Sequence, residues 1–171
     1  MRNGGNDTIF SSMIVLKLPE EIEKMRASNH IVAEILNRLK EKVRPGVTTG
    51  ELDMCSEELV RKKGAVPAFK GYMGYPNSLC ISVNSEVVHG IPSNRVLDAG
   101  DIVSLDFGAY YKGYYGDAAI TVPVGDVSKE AARLIRVTER GLYDGIREAR
   151  AGNRLGDISA AVQMRVETAG F

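Results

Sequence analysis

The sequence predicts an α+β layer, an antiparallel sheet covered by helices on one face, and three observations carry that prediction. Apolar residues recur at helical spacing in two segments before Lys63 and in two more after Ser128. Between them, from Val66 to Val122, the texture changes to short strand-like runs punctuated by Gly, Pro and Asp turns. Helices grouped on either side of a run of strands, rather than alternating with them, favour α+β over a parallel α/β sheet.

The elements follow in order. Residues 1–12 are polar, Gly/Asn-rich and without periodicity, and lack the basic-then-apolar pattern of a secretory signal. They read as an expression remnant or an over-extended start, loose in structure, ahead of a natural beginning at Met13 and a domain over 13–171. Pro19-Glu20-Glu21 opens a first helix, with Ile22, Met25, Val32, Ile35, Leu36 and Leu39 on one stripe to about Lys42. His30 on this helix reads as a surface residue. Thr48-Thr49-Gly50-Glu51 is a capping-box pattern that starts a second helix bearing Leu52, Cys55 and Leu59, stopped by Gly64. A Gly/Pro/aromatic loop over 71–77 leads to an alternating strand, Leu79–Val83, and Val87-Val88 begins another short one. Two longer strands follow, Ile102 to about Tyr110 and Tyr114 to Val122. Ser128 caps a third helix with a broad apolar stripe through Leu142, Tyr143 and Ile146, and a fourth begins at Leu155 or Asp157.

Composition excludes several classes. Lys plus Arg and Asp plus Glu balance at 22 each, so no basic field recommends nucleic acid or an anionic membrane as partner. No apolar run approaches the ~18 residues of a spanning helix. Cys55 and Cys80, the two cysteines, are too few for a disulfide scaffold and lack zinc-motif spacing, so both read as free thiols in a reducing compartment.

Chemistry concentrates between Ser82 and Ala119. Carboxylates are depleted from strands and costly to bury unpaired, yet Asp106 and Asp117 sit in the two longest strands. With Tyr111-Lys112 or Lys112-Gly113 as a two-residue hairpin loop, paired positions sum to an odd number. Both aspartates then share one face, directly opposite or one diagonal apart. Like charges so placed call for a cation, and hard oxygen ligands suit a divalent ion that acts on water. The pattern alone leaves a satisfied surface pair open as well. His89, before the turn Gly90-Ile91-Pro92, is suited to be a ligand, an acid or a donor to a substrate amide; the pattern does not choose among these.

The residues Gly71-Tyr72-x-Gly74-Tyr75-Pro76-x-Ser78-x-Cys80-x-Ser82-x-Asn84-x-x-Val87-x-His89-Gly90-Ile91-Pro92, then Gly100-Asp101-Ile102-Val103-x-x-Asp106 and Gly113-Tyr114-x-Gly116-Asp117, resemble type I methionine aminopeptidase. The opening Pro19 to Arg26 is similar to that family's first helix. The resemblance runs nearly continuously over 13–171 and implies a pita-bread fold of two pseudo-symmetric halves around a site for two divalent ions (Co, Mn, Fe, Zn or Ni). It implies metal-ligand roles for Asp106 and Asp117 and a substrate contact near the scissile amide for His89. Phe69, Tyr72, Tyr75 and Cys80 correspond to the neighbourhood of the methionine pocket.

The function implied is removal of N-terminal methionine from nascent polypeptides in the cytoplasm, near the ribosome, by metal-assisted hydrolysis. In that family a His and two Glu from the second half complete the site, and this sequence corresponds to the first half. Two aspartates without those partners are expected to hold an ion weakly, leaving the 171-residue chain inactive alone. The sheet face of a half-fold is also expected to promote self-association. A non-catalytic partner-binding module of the same fold is the alternative; retention of Asp106, Asp117 and His89 argues against it.

Overall fold

The computed structural model describes residues 15–171; the expected loose leader, 1–12, lies outside the described residues. Helix α1 spans Pro19–Lys40 and α2 Thr49–Lys62; strands β1, Val66–Pro67, β2, Leu79–Val83, β3, Ile102–Tyr111, and β4, Tyr114–Pro123, follow, then α3, Lys129–Glu148, and α4, Leu155–Thr168. Among the described residues no helix is long and apolar enough to cross a membrane.

Local chemistry sets the helix boundaries. The Leu18 N–H donates to Glu21 Oε2 at 2.7 Å, closing the first turn of α1. At α2 the capping box is reciprocal: Thr48 Oγ1 accepts the Glu51 N–H at 3.2 Å while Glu51 Oε2 accepts the Thr48 N–H at 2.7 Å. Ser128 Oγ accepts the Ala131 N–H at 3.0 Å, as its place before α3 predicted.

The sheet is antiparallel and centred on β3, which pairs β4 along one edge and β2, then β1, along the other. Tyr111 pairs Tyr114 around Lys112 and Gly113, whose φ values of +49° and +89° make the tight turn. That turn fixes the register: Asp106 faces Ala119 and Gly108 faces Asp117. Odd-numbered β3 residues, Val103, Leu105, Phe107 and Ala109, point into a core shared with Val32, Ile35, Leu36 and Leu39 of α1 and Leu52 and Val60 of α2. Helix α1 lies close on β4, because a side chain at Gly116 would come within 2.6 Å of the Ser28 carbonyl. The opposite face carries Asp106 and Asp117.

Two expectations about strand detail are corrected. Strand β2 does not alternate in burial; all five residues are buried, because the segment after it folds back over the side carrying Cys80 and Ser82. Val87 and Val88 form no strand: they are 87% and 62% exposed in a loop, β-branched residues with no partner to pair them. Helices α1 and α2 back the sheet, whereas α3 and α4 pack chiefly on each other, meeting where Gly145 makes room for Val162 and Ile158. The α3 stripe is therefore exposed at Leu142, Tyr143 and Ile146.

Candidate metal centre

On the face away from α1 and α2, β3 and β4 set Asp106 and Asp117 one diagonal apart. Burial, then the Asp117 charge, holds the Asp106 carboxyl above the usual carboxylate range, with the His89 charge opposing. Asp117, an exposed residue, is raised as well, by partial desolvation, while its hydrogen bond to Asp106 pulls the other way. Two carboxyls that resist ionising side by side are what a divalent cation would relieve.

Three neighbours close around the pair. Cys80 lies opposite Asp106 in the β2–β3 register. Burial, then the Asp106 and Asp117 charges, pushes its thiol up, so it stands there as a small neutral wall rather than a thiolate. The Tyr75 hydroxyl lies 3.1 Å from the Leu79 and Gly90 carbonyl oxygens, and burial raises its pKa, so it stays a donor. Phe69 packs on Gly108, the residue facing Asp117; a Cβ at Gly108 would sit 2.6 Å from the Phe69 ring. His89 is exposed, in left-handed backbone with φ +58°, and its charge reaches Asp106. Tyr72 is 66% exposed on the 3-10 turn Tyr72–Gly74 and is not drawn into this group.

Sequence reasoning passed over the residues that hold this wall in place. Asp53, buried on α2, accepts the backbone N–H groups of Ser78 and Leu79 at 2.9 Å each and the Asn77 amide at 2.7 Å. One turn on, Glu57 takes Lys70 at 2.6 Å, Arg61 at 2.7 Å and the Ser78 hydroxyl at 3.0 Å. Its carboxyl drops to about 2, with Lys70 the largest cause. These two acids tie the aromatic loop 69–78 to α2. A signal existed for Asp53, since it falls in the stripe Thr49, Leu52, Asp53, Ser56, Val60 that the helix buries.

Residues 23–171 match the metallopeptidase family M24. The chain belongs to that family. Among its relatives, methionine aminopeptidase of Clostridium acetobutylicum is 51% identical over 93% of this chain, and methionine aminopeptidase 1 of Bacillus subtilis is 49% identical over 93%. Each match covers 64% of the relative, so the chain spans about two thirds of the length of the curated relatives it matches. The crystal structure of methionine aminopeptidase from Thermotoga maritima superposes with a TM-score of 0.90 at 44% identity, over 92% of this chain and 64% of that one. A Xaa-Pro dipeptidase from Bacillus anthracis gives 0.80 at 26% identity, over 91% and 42%. The M24 sheet and its helices thus have the pita-bread arrangement of those enzymes.

Membership of a metallopeptidase family implies a divalent ion, and the donor set tests the fit. Asp106 and Asp117 offer hard oxygens on one face, with desolvation raising both carboxyls and the Asp117 charge adding to the rise at Asp106. Among the described residues no group of three or more His, Cys, Asp or Glu gathers to hold an ion. The pair therefore fits as part of a ligand set. A hard cation takes about six ligands, and two carboxylates supply a minority of them.

Proposed function

We propose that this chain contributes Asp106 and Asp117 to the metal centre of an enzyme that removes N-terminal methionine from newly made polypeptides. The observation that carries the reading is the diagonal aspartate pair on one sheet face, with His89 close enough for its charge to act on Asp106. Methionine aminopeptidase is the name its near relatives bear.

A divalent ion bound by such a pair supplies an activated water and polarises the scissile carbonyl. The chain's own residues do the rest. Asp106 and Asp117 hold the charge at one point of the sheet face. The imidazole of His89, mounted on a turn, orients the substrate amide and holds a proton near its nitrogen. Phe69, Tyr75 and Cys80 form an apolar wall with a neutral thiol, suited to an unbranched thioether side chain. Tyr72, exposed on its turn, stands outside that wall. The cytoplasm, where nascent chains emerge, is the corresponding location. Ligands beyond those in these 171 residues complete the set, so the chain alone hydrolyses little.

The test compares hydrolysis of Met-Ala-Ser by these 171 residues and by a version carried to the relatives' full length, with Co²⁺, Mn²⁺ or Fe²⁺ added. We expect negligible turnover from the first and activity from the second. Asp117→Asn in the longer version should lower turnover at least about a hundredfold. Full activity in that variant would overturn the assignment.

A further inference from the structure

We propose that Tyr75 and Ser82 are positioning residues: together they clamp the Gly90 peptide and so hold His89 in its left-handed conformation at the edge of the carboxylate face. Gly90 lies flat on β2, close enough that a Cβ there would fall 2.0 Å from the Ile81 carbonyl oxygen. Both polar groups of the residue are held. Its N–H donates to Ser82 Oγ at 3.1 Å. Its carbonyl accepts the Ile81 N–H at 2.9 Å, with the Tyr75 hydroxyl at 3.1 Å. Ser82 is 4% exposed, so its hydroxyl is shielded from water and serves the loop.

The need for a clamp follows from His89 itself. An L-residue at φ +58° is disfavoured and persists only where its surroundings over-determine it. His89 is exposed, so packing of its own side chain does not supply that constraint. The residues before it do not either, since Val87 and Val88 are largely exposed. Before them Glu86 is tied to Val83 and Arg95, and the next held point of the loop after it is Gly90. Fixing its peptide sets the direction in which the chain leaves His89 and hence where the imidazole points. Tyr75 would then have two duties, as pocket wall and as anchor of the histidine loop.

The catalytic meaning of the clamp rests on reading His89 as a substrate contact, but the clamp is testable without it. The chain has two histidines, so an NMR spectrum of the 171-residue protein carries two imidazole signal sets, with exposed His30 on α1 as internal reference. In Tyr75→Phe and in Ser82→Ala we expect the Gly90 amide to exchange at least about tenfold faster. The His89 ring resonances should move toward those of a free imidazole, with His30 unmoved and the Leu105 amide as protected as before. Ser82→Thr, which keeps the acceptor, should restore the original Gly90 exchange and His89 shifts. Gly90 exchange within twofold of the parent and an unmoved His89 in both variants would overturn the proposal. A full-length version without peptidase activity, whose His89 still moves in these variants, would keep the clamp and remove only its catalytic meaning.

Discussion

Asp106 and Asp117 sit one diagonal apart on a single face of the β3–β4 hairpin, and each carboxyl is raised above the ordinary carboxylate range. The pair is therefore under electrostatic tension at neutral pH, where both tend to ionise. Removing one charge while keeping the shape should relieve it. We expect Asp106→Asn to stabilise the ion-free protein by up to about 1 kcal/mol at pH 7, as for a like-charge pair across strands. Added Mn²⁺ should raise the melting temperature of the parent and leave that of the variant nearly unchanged. Thermal unfolding with and without the ion checks both; equal shifts in the two proteins would show that Mn²⁺ binds elsewhere.

How far this site could be read from residues alone differs by part. The shared face of Asp106 and Asp117 was legible because a two-residue turn at Lys112-Gly113 fixes register parity, and parity is a local property. The α1 and α2 caps were legible for the same reason. The position of His89 was not, because it depends on Gly90 docking against Ile81 across a loop whose path no spacing rule encodes. The same docking buried Cys80 and Ser82, defeating the expected alternation of β2. Val87 and Val88 misled because β propensity without a partner strand produces no strand. Asp53 was hidden differently: a lone acid in an apolar helical stripe resembles noise until the backbone donors of Ser78 and Leu79 are seen to meet it.

That buried acid yields a second prediction. Asp53→Ala would leave the Ser78 and Leu79 N–H groups without their acceptor at the start of a fully buried strand. We expect a loss of about 2–4 kcal/mol, the range for unsatisfied buried donors that had met a charge. Urea unfolding at constant m-value measures it; a loss below 0.5 kcal/mol (about the scatter of surface substitutions) would mean that water or a rearranged loop replaces the carboxylate.

Glu57 gives a pH dependence with a definite sign. Its carboxyl is lowered from 4.5 to about 2 by Lys70, Arg61 and Ser78. The folded state thus binds fewer protons than the unfolded state between those values, and stability falls as pH drops through the window. The contribution is fully present above about pH 4.5 and gone below about pH 2. The partners are solvated, so about 1 kcal/mol per ion pair is the ceiling. Urea midpoints at pH 7, 4.5 and 2.5 should show the parent losing more stability than Glu57→Gln over the last interval. Parallel curves would mean that the Lys70 pair contributes nothing in solution.

Two glycines separate steric need from backbone freedom. Gly116 faces α1, where a Cβ would meet the Ser28 backbone at 2.6 Å, so neither partner can yield by turning a side chain. Gly116→Ala should push α1 off β4 and cost about 1–3 kcal/mol, as overpacking does. Gly156, in the first turn of α4, has nothing within 4 Å of the equivalent point and no left-handed backbone. There an alanine removes only unfolded-state freedom, and Gly156→Ala should stabilise by about 0.4–1 kcal/mol. Denaturant unfolding of the two variants gives shifts of opposite sign. A tolerated Gly116→Ala would show that α1 can slide on the sheet, and the register of Ser28 against the hairpin would then not be fixed by that contact.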